Sequence, residues 1–348
     1  MAPMCVKSTF QSKKTIIMKN ILFILGITLL LFSCKKDKLG GFSNSNTECE
    51  KNIYEYTKPF DFAPHDSMAW YGEIGWNLNP AEKPFEYPKI GVVKANPNNF
   101  YEIIYEKTED TLGHPRHLYK YNFCSNTLTL LNTSYYLFEW TKKNKIFFFN
   151  ASSLFRMNSD ATNEELIYTA STAPYWIKSS PNGELLMIER KELGLRIFTV
   201  ITEYGEEISN LGGDGLFLGW YDNKHLLIQY NNEVRKVNVY SEVEEFYLAG
   251  KYDSYDPYVE KFLRRIVENE FEGWQTLNKT GDILNVTEFH YNKGIELIHP
   301  IFFGESRIIS NYWSQEYVST PYENMLIKQK SVIMNLNGTN ARRVIPIE

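Results

Sequence analysis

The side chains in this chain best suited to hold a divalent metal are its six histidines, His65, His114, His117, His225, His290 and His299. A zinc-type site brings three or four such ligands to about 2 Å from one ion. Only His114 and His117 are close in sequence, and Pro115 between them suits a turn joining two strands better than a shared ligand face. No metal and no other cofactor is expected. A serine hydrolase of the α/β type would carry a Gly-x-Ser-x-Gly elbow, and that pentapeptide does not occur. Gly212-Gly213-Asp214-Gly215 could cradle a phosphate only by opening a helix; a strand pattern follows it, so it reads as a connector. Asp222, Asp282 and Glu316 each follow a tryptophan and could face a common centre, but carboxylates at such turns generally accept backbone N–H groups. No catalytic residue is assigned.

The four cysteines, Cys5, Cys34, Cys49 and Cys124, carry a different chemistry. Ile21 to Phe32 is an apolar block of 12 residues between Lys19 and Ser33-Cys34-Lys35-Lys36. That is short of the roughly 20 residues of a spanning helix and matches the core of a secretion signal. Leu31-Phe32-Ser33-Cys34 resembles a bacterial lipobox, with Phe32 bulkier than the residue usual there. The resemblance implies that Cys34 becomes an acylated amino terminus, and at about 0.8 kcal/mol per buried CH₂ three acyl chains make a durable anchor. Residues 1–33 then form the leader and signal, with Met18 the more natural start. Residues 34–53, Gly/Ser/Asn-rich and charged, read as a flexible tether. A charged stretch after the lipidated cysteine resembles the surface-export signal of lipoproteins in Bacteroidetes-type bacteria; the periplasmic face is left equally open. With Cys5 lost and Cys34 acylated, Cys49 and Cys124 remain, either bridged or as two buried thiols. Asp66-Ser67-Met68 and Asp110-Thr111-Leu112 resemble O-glycosylation sites of Bacteroidetes envelope proteins.

The elements that must position these groups are signalled by a repeat. Ala173 to Arg190, APYWIKSSPNGELLMIER, reads as a short apolar approach ending at Trp176, a turn at Ser180-Pro181-Asn182-Gly183, and a second strand, Leu185 to Ile188, whose unbroken apolar run implies burial on both faces. Looser copies begin at Trp140, Trp220, Trp274 and Trp313, and one at Val92 replaces the indole with valine. The six anchors are spaced by 48, 36, 44, 54 and 39 residues, the period of a four-stranded propeller blade. The pattern predicts an all-β, six-bladed β-propeller over 54–348, with blades from about residue 85. Tyr54 to Pro80 supplies either a ring-closing strand or packing beneath the first blade. The long fifth interval contains Tyr258, Val259, Phe262, Leu263, Ile266 and Val267 at helical spacing, so a short amphipathic helical insertion is expected within 250–272.

Aromatic residues form 15% of the chain, as sheets packed face to face require. Beyond residue 33 there are 33 bases against 42 acids, which disfavours nucleic acid as a partner. MNLNGTNARRVI, from Met334, and RMNSDATNEELI, from Arg156, resemble the outer-strand signature of TolB-like six-bladed propellers, and WIKSSPNGELLMI, from Trp176, resembles their inner signature. The resemblance spans about Phe85 to Glu348. It implies a central funnel that binds a protein, peptide or glycan and implies no reaction. The resulting expectation is a non-enzymatic, lipid-anchored binding or assembly scaffold for an envelope protein or peptide, at the outer membrane. The alternative is a carbohydrate-active propeller, either a surface glycan binder or a metal-dependent uronate lyase. Converging His and Arg in the funnel would favour the lyase, Tyr and Trp faces the glycan binder, and an apolar rim a protein partner.

Overall fold

Strands and turns alternate along the chain so that each group of four folds back on itself as a meander. The computed structural model describes residues 47–59, 89–108, 116–132, 135, 137–268, 271–290, 295–318 and 324–344. Blade one comprises β2 (Lys89–Asn96), β3 (Asn99–Thr108), β4 (Arg116–Asn122) and β5 (Thr127–Asn132); blade two comprises β6 (Leu137–Trp140), β7 (Lys145–Asn150), β8 (Ser153–Asn158) and β9 (Glu165–Thr169). Blade three is β10 (Trp176–Ser179), β11 (Leu185–Glu192), β12 (Leu195–Thr202) and β13 (Glu207–Gly213), and blade four is β14 (Leu216–Trp220), β15 (His225–Tyr230), β16 (Glu233–Asn238) and β17 (Glu244–Ala249). Blade five is β18 (Ser254–Asp256), β19 (Lys261–Glu268), β20 (Phe271–Asn278) and β21 (Ile283–His290). Blade six is β22 (Ile295–Phe303), β23 (Arg307–Val318), β24 (Asn324–Asn335) and β25 (Arg342–Val344), with β1 (Lys58–Pro59) added at its outer edge.

Burial explains the strand sequences. Second strands are sandwiched between neighbouring blades, so Ile146-Phe147-Phe148-Phe149 and Leu185-Leu186-Met187-Ile188 are buried at consecutive positions. Such runs lack the period-two alternation of a half-exposed strand. Outer strands such as Glu165–Thr169 and Glu244–Ala249 face solvent along most of their length. Each pair of neighbouring blades shares one hydrophobic core. Ile104 and Leu118 meet Phe148 between blades one and two, Phe147 meets Ile188 between two and three, and Met187 meets Leu226 between three and four. Leu227 meets Phe262 between four and five, Leu263 meets Phe302 between five and six, and Phe303 meets Ile103 between six and one. That last core closes the ring: the protein is a six-bladed β-propeller. Each fully buried Leu, Ile or Phe contributes about 1.5–3 kcal/mol, so closure rests on many such contacts.

Three features depart from the sequence reading. Within 250–272 the chain forms β18, β19 and the start of β20 rather than a helix. The apolar residues spaced as if on a helix include Phe262 and Leu263, neighbours in sequence that are both buried because they face blades four and six respectively. Arg264 lies opposite Gln275 on β20 and donates to its Oε1, a cross-strand contact. The second departure is α1 (Thr47–Tyr56), a helix that occupies the last part of the predicted tether. It buries Cys49, Asn52 and Ile53; Ile53 enters the core between blades six and one, and a disulfide joins Cys49 to Cys124, just after β4. The third concerns phase. Val92, Trp140, Trp176 and Trp220 lie on first strands, but Trp274 lies on the third strand of blade five and Trp313 on the second strand of blade six. In blade five the inner edge is taken by Ser254-Tyr255-Asp256, so the indole of Trp274 fills the core towards blade six instead.

The first and last described strands meet at the outer edge of blade six. Lys58 and Pro59 pair antiparallel with Arg343 and Arg342, which makes β1 a fifth strand on the outer edge. Arg342 also bonds the carbonyls of Tyr54 and Thr57, and Arg307 bonds Glu50 on α1. Tyr101 of blade one donates to the same Glu50. A single carboxylate thus spans the junction between the first and last blades.

Candidate functional site

The inner strands of all six blades enclose a cavity of about 390 Å³ at the ring centre, within the size range of small-molecule sites. Its walls are apolar: Val92, Trp140, Trp176, Phe217, Trp274 and Phe302 line it, one from each blade in turn. Into this lining the chain sets Lys94, Glu139 and Lys178, from the first strands of blades one, two and three, and Asp256 from blade five.

Glu139 is the hub of the polar set. Its side chain is only 3% exposed and forms ion pairs with Lys94 and, at 3.5 Å, with Lys178. The backbone N–H and the hydroxyl of Ser179 also donate to it, each at 3.3 Å. Burial alone would raise the Glu139 carboxyl, but Lys178 and Lys94 outweigh it and hold the group below its usual range. Burial likewise works against the charge on Lys178, yet Glu139 and Asp256 hold its ammonium above the ordinary value. Lys94 goes the other way: burial lowers it, and Glu139 offsets only part because Lys178 repels it. The Lys94 ammonium also stands 5.6 Å from the ring centre of Phe138 and 5.7 Å from that of Trp176, within cation–π range. Asp256 accepts from the backbone N–H groups of Tyr258 and Val259, and burial pushes its carboxyl up.

Two polar groups in the lining have no hydrogen-bond partner. They are the indole N–H of Trp274, a residue only 8% exposed, and the hydroxyl of Tyr258. Burial, with Glu139 and Asp256 nearby, pushes the Tyr258 phenol well above its usual range, so it stays protonated. A buried donor left unpaired costs about 1–3 kcal/mol. Both atoms are sealed from solvent, so a ligand in the cavity would meet the rings of these residues and not their donors; Glu139, already taking four donors, is not poised to accept a proton from one.

Four of the six anchors, Val92, Trp140, Trp176 and Trp274, line the cavity. Trp220 does not; it is fully buried between blades three and four and donates to the Lys178 carbonyl at 3.0 Å. The side chain of Trp313 lies outside the described residues, as do Cys34 and the two glycosylation-like tripeptides. Asp222 and Asp282 are turn caps: Asp222 accepts from the N–H groups of Lys224 and His225, and Asp282 from Asn278 and Thr280. His225 bonds Asp222 and Asn238. Among the described residues no group of three or more His, Cys, Asp or Glu could hold a metal ion, and no helix is long and apolar enough to cross a membrane. The charged residues of the cavity escaped the sequence reading, which followed the indoles. Their signal was a Lys or Glu inside an otherwise apolar first strand, in Val-Val-Lys94-Ala, Leu-Phe-Glu139-Trp and Trp-Ile-Lys178-Ser.

No family model and no curated protein matches the sequence. Solved structures of similar fold include a candidate TolB from Agrobacterium tumefaciens, at 14% identity and TM-score 0.46, covering 65% of this chain and 86% of that one. TolB from Acinetobacter baumannii matches at 10% identity and TM-score 0.42 over 56% of this chain and 53% of its own. An acylaminoacyl peptidase from Pyrococcus horikoshii matches at 9% identity and TM-score 0.47 over 75% of this chain and 46% of its own. This chain therefore spans about half the length of the second and third. These likenesses concern fold alone.

Proposed function

We propose that the protein is a non-enzymatic binding and assembly scaffold of the cell envelope, held to the outer membrane by acylation of Cys34, with its central cavity as the ligand seat. The observation that carries the binding role is the cavity itself, built by all six inner edges, apolar in its walls and polar at a few fixed points, the usual make-up of a ligand site. A protein or peptide partner is supported by a second feature. The outer strands of four blades expose large apolar side chains: Leu130, Leu166, Phe246 and Val286 are 37–63% exposed. The anchor rests on the short apolar block before Cys34 and the lipobox resemblance.

Affinity capture of the full chain from detergent-solubilised envelopes tests the scaffold role. Recovery of a stoichiometric partner is expected, and a consistently empty capture overturns it. Cys34→Ala tests the anchor separately, since the variant should move from the membrane to the soluble fraction. Unchanged partitioning would refute acylation at that residue.

A further inference from the structure

Lys94 and Lys178 share the carboxylate of Glu139, which stands on the first strand of blade two between theirs: Lys94 bonds Oε2, and Lys178 faces Oε1 at 3.5 Å. One ammonium would suffice to neutralise that carboxylate. The second stands beside a like charge, and burial makes the repulsion more costly. Neither side chain is sealed, since Lys94 is 15% and Lys178 30% exposed, and both line the cavity. Lysines that attack carbonyl carbon are set up in this way, in an apolar pocket beside a second cation that favours the neutral amine. The two lysines are also driven in opposite directions. Burial lowers Lys94, with Glu139 offsetting part of the effect and Lys178 adding to it. Burial opposes the charge on Lys178 as well, but Glu139 and Asp256 hold it above its ordinary value. Such divergence within one cluster of contacts divides the roles: one amine free to react, the other a fixed charge. Trp176, on the cavity wall, has its ring centre 5.7 Å from the Lys94 nitrogen, so a group joined to that nitrogen has an indole to pack on.

We propose that the amine of Lys94 captures a small apolar aldehyde or ketone in the central cavity as a reversible Schiff base. The ammonium first sheds a proton to water. The free amine attacks the carbonyl carbon, a C–N bond forms, and the π pair of the carbonyl moves to oxygen, which takes a proton from the nitrogen. The nitrogen lone pair then expels the hydroxyl, which regains the shed proton and leaves as water. One ammonium and one carbonyl thus give one iminium and one water, with no oxidant and no net transfer of a proton. The positive charge beside Glu139 is kept, so its ion pair survives the reaction and Glu139 need accept nothing. Lys178 is a positioning residue, whose charge keeps part of Lys94 neutral. The proposal rests on the cavity being a ligand seat and names the chemical class it takes; the walls of Val92, Trp140, Phe217 and Phe302 select an apolar substituent.

Reductive trapping on the full chain in detergent tests it. The probes are benzaldehyde, hexanal and cyclohexanone, each with cyanoborohydride to fix the iminium as a secondary amine, and benzyl alcohol as the control without a carbonyl. Intact mass and peptide mapping give the extent and the place of labelling. With at least one probe, Lys94 should be labelled about tenfold faster than the more exposed Lys143 and Lys279, the ratio that one unit of pKa supplies. Lys94→Met should lose that adduct. Lys178→Met should leave Lys94 as the target but slow it about tenfold, and Lys178→Arg, which keeps the charge, should restore the rate. Melting curves like the parent's would show that the variants fold, and the parent's own peptide map decides if they do not. Labelling in order of exposure, labelling of Lys178 ahead of Lys94, no adduct with any probe, or a rate at Lys94 that ignores a folded Lys178→Met overturns the proposal. The scaffold reading fails on a different result, an empty affinity capture, so either can fall without the other.

Discussion

At residue scale the strongest local dependence is on Glu139, which holds two lysines and Ser179 in a cavity wall. Glu139→Gln would leave Lys94 and Lys178 facing each other without their carboxylate. Breaking a buried pair costs about 3–5 kcal/mol; because the Lys178 side chain is 30% exposed, water takes over part of the loss and about 2–3 kcal/mol is expected. Urea denaturation at pH 7 measures it, and a change under 0.5 kcal/mol, about what a surface substitution gives, would show the pairing to be incidental. The pH dependence follows from the lowered Glu139 carboxyl. A group whose folded value lies below its unfolded one stabilises the protein above the unfolded value, about 4.3 for glutamate. That stabilisation is lost as the pH falls through the folded value. The parent should therefore lose stability more steeply with acid than the Gln variant, which lacks the titrating group.

At the scale of elements, α1 and β1 act together as a clasp over the junction of blades one and six. The Cys49–Cys124 disulfide closes a segment of 75 residues, for which loop entropy gives about 4 kcal/mol of stabilisation, with 2–4 typical. Dithiothreitol should lower the denaturation midpoint by that order, and a Cys49→Ala, Cys124→Ala double variant should match the reduced parent and ignore reductant. A reductant-insensitive parent would mean the clasp holds by its other contacts alone. A second inter-element constraint sits in β14, whose pairing with β15 slips between Phe217 and Gly219. A Cβ at Gly219 would overlap the carbonyl oxygen of Tyr255, just before Asp256 on β18. Gly219→Ala should thus push blades four and five apart and cost about 1–3 kcal/mol, seen as a lower melting temperature. An unchanged melting temperature would show that the two inner strands can separate freely.

For the whole molecule the ring is the unit of stability, because each core belongs to two blades at once. Residues 250–272 illustrate this. As a peripheral helix they would be dispensable; as β18, β19 and the start of β20 they supply Tyr255, Phe262 and Leu263 to the cores on both sides of blade five. Deleting them should therefore open the ring, expose both cores and abolish cooperative unfolding, with dye binding typical of exposed apolar surface. A deletion variant that melts cooperatively with parent-like β content would refute that role. The clasp belongs to this scale too, since it joins the beginning and end of the ring.

The sequence by itself determined the propeller. Period, turn chemistry and the apolar second strands are local properties, and Ile146 to Phe149 and Leu185 to Ile188 declare burial on two faces without any partner being known. It also marked Trp140 and Trp220 at the ends of inner strands. Tertiary structure alone decided the rest, because those features depend on residues distant in the chain. Phe262 and Leu263 become strand rather than helix only when blades four and six stand on either side. Residues 47–53 become helix once Cys124 and the seam give them something to pack on. Lys94, Glu139, Lys178 and Asp256, spread over more than 160 positions, become one site only because ring closure turns successive inner edges towards a common axis.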